Sequence, residues 1–149
     1  MERSEHLDVL DLSVVSLNAE HVSAMVEAIY QSRHTQLKSF VLAKMGITFE
    51  TNPDLQEMMC EFISRQEKLE TAIVNYTLLR SADETTRVLE TLMQPGVLNT
   101  IKKVGIYGSD FTQNETCELL AQFIATAPKL DYVGMDWQLH SRGITGRVI

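Results

Sequence analysis

Apolar residues recur along the chain in a short phrase of fixed spacing. In "IKKVGI" the first, fourth and sixth residues are apolar, and a further apolar position follows five residues later. Five copies of this phrase begin at Leu7, Leu37, Leu69, Ile101 and Leu130. The copies define twenty apolar positions, and all but His140 are filled by apolar residues. Because only 44% of the chain is hydrophobic, this regularity indicates an internal repeat of one structural unit.

Each phrase predicts a short β-strand with one buried face. Its fourth and sixth residues are two apart, so their side chains point to the same side of an extended strand, which we call the core face. The third, fifth and seventh residues point to the opposite side, which we call the alternate face. The alternate face carries Val9, Asp11 and Ser13; Ser39, Val41 and Ala43; Thr71, Ile73 and Asn75; Lys103, Gly105 and Tyr107; and Tyr132, Gly134 and Asp136. Because polar and charged residues are mixed among them, we expect burial of the core face alone.

A helical pattern follows each of the first four phrases, with apolar residues at the spacing of an amphipathic helix. Ser81 with Glu84 and Thr112 with Glu115 have the spacing of a capping box, so they predict two helix starts. Asn52–Pro53 predicts a third start, with proline at the first helical position. The chain is therefore predicted to alternate strand and helix four times and to end on a fifth strand. Strands joined in this way by single helices are parallel.

The combination of phrase and helix resembles the leucine-rich repeat of the ribonuclease-inhibitor type. That family repeats L-x-x-L-x-L, a later Asn or Cys, a further apolar residue and a helix in roughly 28 residues. The resemblance extends over residues 7–138. The position that the family fills with Asn or Cys is occupied here by Val15, Met45, Thr77 and Ser109. The chain therefore resembles a divergent member of this repeat family.

The resemblance implies an α/β fold. We expect a short right-handed βα solenoid, the leucine-rich-repeat horseshoe, with a parallel sheet of about five strands and helices on one face. A single domain is expected over residues 1–149, with repeats at 7–36, 37–68, 69–100, 101–129 and 130–138 and a C-terminal tail at 139–149. The competing fold is a small doubly wound α/β domain with helices on both faces. Its strands are buried on both sides and read as continuous apolar runs, so the mixed alternate face favours the solenoid.

The second residue of each phrase supports stacking of the repeats in register. These residues alternate in charge along the chain: Asp8, Lys38, Glu70, Lys102 and Asp131. Neighbouring strands lie about 4.8 Å apart, so the alternation predicts a ladder of opposite charges across the sheet. An exposed ion pair contributes less than ~1 kcal/mol, so the ladder would favour one register more than it would add stability.

Composition and charge limit the classes of partner. The chain has a net charge of −7, and its longest basic cluster is Lys102–Lys103, so we do not expect nucleic acid as a partner. No run approaches the roughly 20 apolar residues of a membrane span, and no membrane partner is expected. The N-terminus does not have the pattern of a secretory or transit peptide, which predicts a cytoplasmic location. Cys60 and Cys117 lie in apolar helical patterns and are expected to be buried free thiols.

The sequence contains little that indicates catalysis. The histidines show no metal-ligand spacing with one another or with a cysteine, and we expect them on the surface: His6, His21, His34 and His140. Nucleophile-elbow, zinc-protease and Walker motifs are absent from the sequence. We therefore expect no enzymatic activity, no cofactor and no metal. The alternative is an enzyme on a doubly wound sheet, with Asn75, Ser109 and Asp110 at the carboxyl ends of the strands.

The alternate face is the predicted functional surface. Solenoids bind partners through such open sheet faces, and tyrosines beside apolar groups and isolated charges are typical of protein interfaces. We expect Tyr107, Tyr132 and Trp137 to be the anchors. The predicted partner-binding residues are Asp11, Val41, Ile73, Asn75, Lys103, Tyr107, Tyr132, Asp136 and Trp137. The expected function is a non-catalytic module that binds a protein partner, or an accessory subunit of a larger complex.

The two ends of the repeat array are further predicted contact regions. The first strand begins close to the N-terminus without a capping helix, and repeat arrays usually need caps. The tail "QLHSRGITGRVI" is expected either to fold over the last repeat or to dock on a neighbour. Homo-oligomerisation or entry into a larger assembly through these ends is therefore expected. A third alternative is a fragment of a longer repeat protein that adjacent repeats recruit to a target.

Overall fold

Parallel strands alternate with helices along the chain. The computed structural model describes residues 7–12, 19–42, 53–75, 79, 81–135 and 146–147. The strands are β1 Val9–Asp11, β2 Ser39–Val41, β3 Thr71–Ile73, β4 Lys103–Gly105, β5 Tyr132–Met135 and β6 Gly146–Arg147. The helices are α1 Ala19–Gln31, α2 Pro53–Ser64, α3 Ala82–Leu92, α4 Pro95–Leu98 and α5 Asn114–Thr126.

The six strands form one sheet in the order of the chain, from β1 to β6. Strands β1 to β5 are parallel, and their register follows the repeat alignment. The fourth residues of the five phrases pair across the sheet: Leu10, Phe40, Ala72, Val104 and Val133. The parallel βα solenoid predicted from the repeat is therefore confirmed, including its register.

The helices form a single layer. Helix α1 contacts α2, α2 contacts α3, and α3 contacts α5, in the order of the strands that they follow. A doubly wound sheet would instead reverse its strand order at one point and divide its helices between two faces. The sequential strand order excludes the doubly wound alternative.

The core face is buried between the sheet and the helix layer. In the second repeat, Leu37, Phe40 and Leu42 are each 0% exposed. Phe40 contacts Phe62 of α2, with the ring centroids 5.8 Å apart. In the first repeat the equivalent residues Leu7, Leu10 and Leu12 are only partly buried. A terminal repeat has a neighbour on one side only, so it buries less of its apolar surface.

Two predicted helix starts are confirmed and one is wrong. Helix α2 begins at Pro53, and the amide of Glu84 donates to Ser81 Oγ at the start of α3. Thr112 does not cap α5, which begins at Asn114 with Gln113 as its N-cap. Instead, both the amide and the hydroxyl of Thr112 donate to Asp110 Oδ1, at 2.9 and 2.6 Å. This local turn uses the threonine hydroxyl before the helix begins.

The predicted charge ladder is present at two steps of the sheet. Lys38 Nζ lies 4.0 Å from Asp8 Oδ2, and Lys102 Nζ lies 3.5 Å from Glu70 Oε1. Along the same column the backbone amides of residues 38, 70, 102 and 131 each donate to the carbonyl of the preceding repeat, at 2.8–2.9 Å. The backbone bonds hold the register, and the exposed ion pairs add little energy to it.

A buried glutamine connects the α1–β2 loop to the following repeat. Gln66 is 1% exposed, and its Oε1 accepts the amide of Leu37 at 3.0 Å. Its Nε2 donates to the carbonyl oxygens of His34 and Phe62, at 2.6 and 2.8 Å. The surface position expected for His34 is wrong, because this histidine is 8% exposed within the fixed loop. His21 is exposed as expected, and His6 and His140 lie outside the described residues.

Strand β6 does not belong to the repeat pattern. Gly146 and Arg147, from the predicted C-terminal tail, pair antiparallel with Met135 and Gly134 of β5. The tail therefore returns to its own sheet at these two residues and pairs with half of β5. At the other end, β1 pairs with β2 and with no second strand among the described residues.

Candidate functional site

The alternate face of the sheet is built from two rows of side chains that cross all five parallel strands. The fifth residues of the phrases form the first row: Asp11, Val41, Ile73, Gly105 and Gly134. The third residues form the second row: Val9, Ser39, Thr71, Lys103 and Tyr132. Four strand spacings of about 4.8 Å make each row about 19 Å long. This length is sufficient for a continuous contact surface.

At Gly105 the first row has no side chain, so neighbouring side chains can lie close to the backbone of the sheet. A Cβ atom on Gly105 would lie 2.9 Å from Asn75 Oδ1 and 3.0 Å from Ile73 Cγ2. Asn75 Oδ1 also accepts the backbone amide of Tyr107 at 3.0 Å. The asparagine therefore connects β3 to the turn after β4, and it can do so because Gly105 leaves room for it.

On the next strand, β5, Gly134 leaves similar room for two neighbouring side chains. A Cβ atom there would lie 2.8 Å from Tyr107 Cε2 and 2.8 Å from Tyr132 Oη. The two tyrosine side chains therefore meet above the backbone of Gly134, and each remains partly exposed. The result is an aromatic patch over β4 and β5, with a glycine as its floor.

The described residues of the predicted site all lie on the alternate face or directly after its strands. Val41, Ile73, Asn75, Tyr107 and Tyr132 are half-buried, whereas Asp11 and Lys103 are exposed. The structure therefore brings apolar and aromatic groups together in the middle of the face and places charges beside them. The two remaining predicted residues, Asp136 and Trp137, lie outside the described residues.

Three residues were predicted to lie on the alternate face but were not among the predicted partner-binding residues. Val9 is 55% exposed and lies in the row of Lys103 and Tyr132. The two-residue alternation of the strand places Val9 on this surface, because the third residue of every phrase points to the same side of the sheet. Gly105 and Gly134 have no side chain to suggest a role. Their function as a floor depends on residues of other repeats.

The residues proposed for the enzymatic alternative are engaged in structural hydrogen bonds. Asn75 accepts the amide of Tyr107, and Ser109 Oγ donates to the carbonyl of Ile106 at 2.6 Å. Asp110 Oδ1 accepts two bonds from Thr112. Each side chain thus fixes a turn after a strand, which is a sufficient structural reason for its presence.

The two thiols are held in their protonated form. Desolvation by burial raises the pKa of Cys60, which is 0% exposed, and also raises the pKa of Cys117. Both cysteines are free as expected, but the burial expected for Cys117 is wrong, because this residue is only partly buried; its Sγ donates to the carbonyl of Phe111 at 3.3 Å. Because the thiolate is the reactive form, these environments make both sulfurs poor nucleophiles at neutral pH.

Neither a metal centre nor a membrane span adds to this surface within the described ranges. The residues that the structure describes include no group of three or more His, Cys, Asp or Glu side chains placed to hold a metal ion. Of the helices described, none is both long and apolar enough to cross a bilayer.

The sequential strand order and the single helix layer define a class of fold, the parallel βα solenoid of the leucine-rich-repeat type. One solved structure with this type of fold is similar to the chain: the tropomodulin C-terminal domain from a structural-genomics study of Caenorhabditis elegans. The two share 17% sequence identity with a TM-score of 0.66, over 95% of this chain and 81% of that one. No family model and no curated protein matches the sequence. The similarity therefore lies in the fold.

Proposed function

We propose that the protein is a non-catalytic protein-interaction module that binds its partner through the alternate face of the sheet. The observation that carries this proposal is the aromatic patch, in which Tyr107 and Tyr132 meet over Gly134 and stay partly exposed. Tyrosines of this kind offer a large contact area with few rotatable bonds. The similarity of the fold to a tropomodulin domain is compatible with this proposal.

The distribution of polarity on the face supports a protein partner. Half-buried apolar groups occupy the middle of the first row, at Val41 and Ile73. Charged groups stand beside them, with exposed Asp11 on β1 and exposed Lys103 on β4. An apolar centre with polar surroundings is the usual anatomy of a protein interface. These opposite charges are separated by three strand spacings, about 14 Å across the sheet, and by two residues along the strands, so they would also orient the bound partner.

The proposal extends to the type of repeat and to the setting of the protein. We infer divergent repeats of the ribonuclease-inhibitor type, in which Asn75 and the turn bonds of Ser109 and Asp110 substitute for the family's Asn or Cys position. We also infer a cytoplasmic accessory subunit that joins a larger assembly. The outer edge of β1 would supply the second contact in such an assembly, since an edge strand offers backbone groups for pairing.

Replacement of both tyrosines should remove partner binding while the fold remains. We expect Tyr107→Ala combined with Tyr132→Ala to weaken binding at least tenfold, because two anchors of the patch are lost. The free energy of unfolding should fall by less than about 1 kcal/mol, because both rings are partly exposed. The measurement is affinity capture on the native chain and on the variant with quantitative mass spectrometry, followed by calorimetry with the purified partner.

The matched control is Glu118→Ala with Gln122→Ala, two exposed residues of α5 on the helix side. This variant should retain the partner that the tyrosine variant loses. If no captured protein distinguishes the two variants, the alternate face is not the binding surface. If the tyrosine variant fails to fold, the tyrosines belong to the core and the proposed role of this face is wrong.

A further inference from the structure

A second polar site lies away from the sheet face, where α1 ends beside the end of α2. It is a pocket of about 470 Å³ lined by Tyr30, Gln31, Arg33 and Arg65. Both charged groups in this lining are guanidinium groups, although the chain as a whole has a net charge of −7. The volume lies in the range of sites that bind small molecules or single side chains.

Arg65 is held in place before any ligand binds. Its guanidinium lies over the ring of Tyr30, 4.4 Å from the centroid, and its Nη1 donates to the carbonyl of Tyr30 at 2.9 Å. Nη2 lies 3.6 Å from Glu61 Oε2. These contacts fix the plane of a group with five N–H donors, so donors remain available to a ligand. Fixing such a group in advance reduces the entropy lost on binding.

Glu61 contacts both Tyr30 and Arg65, and its single negative charge does not cancel the charges of the two arginines. The hydroxyl of Tyr30 donates to Glu61 Oε2 at 2.7 Å. This hydrogen bond is the main reason that the pKa of Tyr30 is raised, so the hydroxyl stays protonated at neutral pH. The two arginines and the one glutamate have a formal sum of +1. The pocket is therefore a local positive site on an acidic protein.

Arg33 occupies a backbone position that favours glycine. Its φ is 55°, in the left-handed region that L-residues with a Cβ rarely adopt. It follows the end of α1, a place where helices commonly end on a glycine in this conformation. Within the described ranges, Arg33 makes no hydrogen bond or ion pair that would account for the choice of arginine. Arg33 is exposed, so its guanidinium is accessible to a ligand in the pocket, and the structure gives no other role for an arginine at this left-handed position.

The loop that carries Arg33 is rigid on both sides. Before it, Ser32 Oγ donates to the carbonyl of Ile29 at 2.7 Å. After it, the carbonyl of His34 accepts from the buried side chain of Gln66 at 2.6 Å. The backbone on both sides of Arg33 is thus held by hydrogen bonds, and the pocket brings together two arginines from neighbouring repeats.

We propose that this pocket binds a phosphate monoester. A carboxylate has two oxygens in one plane and is satisfied by a single guanidinium fork. A phosphate monoester has three terminal oxygens in a tetrahedral arrangement and nearly two negative charges at pH 7, so it can accept from two guanidinium groups at once. The volume exceeds that of a phosphate group, which leaves room for the atoms to which the phosphate is esterified.

The test is a titration of the full-length 15N-labelled chain, followed by NMR at constant ionic strength. The probe is phosphoserine blocked with acetyl and amide groups, and we expect saturable shifts of the Arg33 and Arg65 side-chain signals in the millimolar range. Blocked serine and acetate should give no saturable shift at these signals. Inorganic phosphate is the second probe, and it distinguishes free phosphate from an esterified phosphate as the ligand. An affinity equal to that of phosphoserine identifies free phosphate as the ligand. A weaker affinity identifies an esterified phosphate.

The Arg33→Gly variant tests whether Arg33 serves ligand binding or the stability of the fold. The variant should weaken phosphoserine binding at least tenfold, whereas its melting temperature should stay the same or rise because glycine tolerates the positive φ. Arg33→Asn, which also tolerates this conformation, should lose binding in the same way. The charge control is Lys129→Ala, an exposed residue before β5, with an affinity within twofold of the native chain.

Three binding results would overturn the proposal. The first is the lack of a saturable shift at the two arginines. The second is an acetate affinity equal to that of phosphoserine. The third is native affinity in Arg33→Gly. A lowered melting temperature in that variant would also count against the proposal, because it would assign the arginine to support of the fold.

Discussion

Leu42→Ala should lower the free energy of unfolding by about 2–5 kcal/mol, the range for truncation of a buried leucine. Leu42 is 0% exposed and is the sixth residue of the second phrase. Its amide donates to the carbonyl of Ile73 at 2.7 Å, so the backbone position is fixed and cannot move to fill the cavity. Urea unfolding followed by circular dichroism measures the change.

The matched control for this prediction is the neighbouring residue. Val41 points to the alternate face and is half-buried, so Val41→Ala should cost less than about 1 kcal/mol. The ratio of the two effects tests the assignment of the two strand faces. Equal losses, or a loss below about 0.5 kcal/mol for Leu42→Ala, would mean that the register of β2 is wrong.

Gln66→Ala should be nearly as damaging, although glutamine is a polar residue. The change removes the partners of the Leu37 amide and the His34 carbonyl, both of which Gln66 now satisfies. Each buried polar group left without a partner costs roughly 1–3 kcal/mol. Because Thr35 and Gln36 in the same loop are not fully buried, water will offset some of this loss. We expect a net decrease of about 2–4 kcal/mol, measured by the same urea unfolding experiment.

Gln36→Ala is the control for Gln66→Ala. Its Nε2 donates to Thr35 Oγ1 at 3.1 Å and to Glu67 Oε2 at 2.8 Å, both on accessible side chains. Water can replace these partners, so the expected loss is below about 0.5 kcal/mol. If both glutamine variants lose the same stability, then buried hydrogen bonding at Gln66 is not what stabilises the loop. Binding of the phosphate monoester at the arginine pocket should also weaken in Gln66→Ala, because the carbonyl of His34, next to Arg33, loses its hydrogen bond.

The repeat and its register are predictable from the sequence because both depend on local periodicity. The apolar fourth and sixth residues of the phrases are the residues that fill the space between sheet and helices, as Phe40 and Leu42 show. Once each phrase is aligned, stacking of equal units leaves one register for the strands. The start of α3 at Ser81 is predictable for the same reason, since the capping hydrogen bond to Glu84 joins residues three apart.

The sequence prediction is wrong at two residues whose hydrogen bonding involves a residue that the pattern does not include. Thr112 and Glu115 have the spacing of a capping box, yet the hydroxyl of Thr112 donates to Asp110 Oδ1 and does not cap α5. The polarity of His34 predicts a surface position, whereas the loop around it is closed by Gln66 from the next repeat. In each case the residue that determines the outcome lies outside the pattern from which the prediction is made.

The sequence established which residues of this chain face the core, because hydrophobic periodicity records burial one unit at a time. It did not establish which residues from different repeats come into contact. Tyr107 meets Gly134, and Arg33 shares a pocket with Arg65, only after the repeats stack and bring together residues about 30 positions apart. Such contacts leave no periodic trace, since each involves a single residue from each of two repeats. The alternate face was therefore visible in the sequence as a pattern, whereas its glycine floor and the arginine pocket are consequences of the tertiary structure.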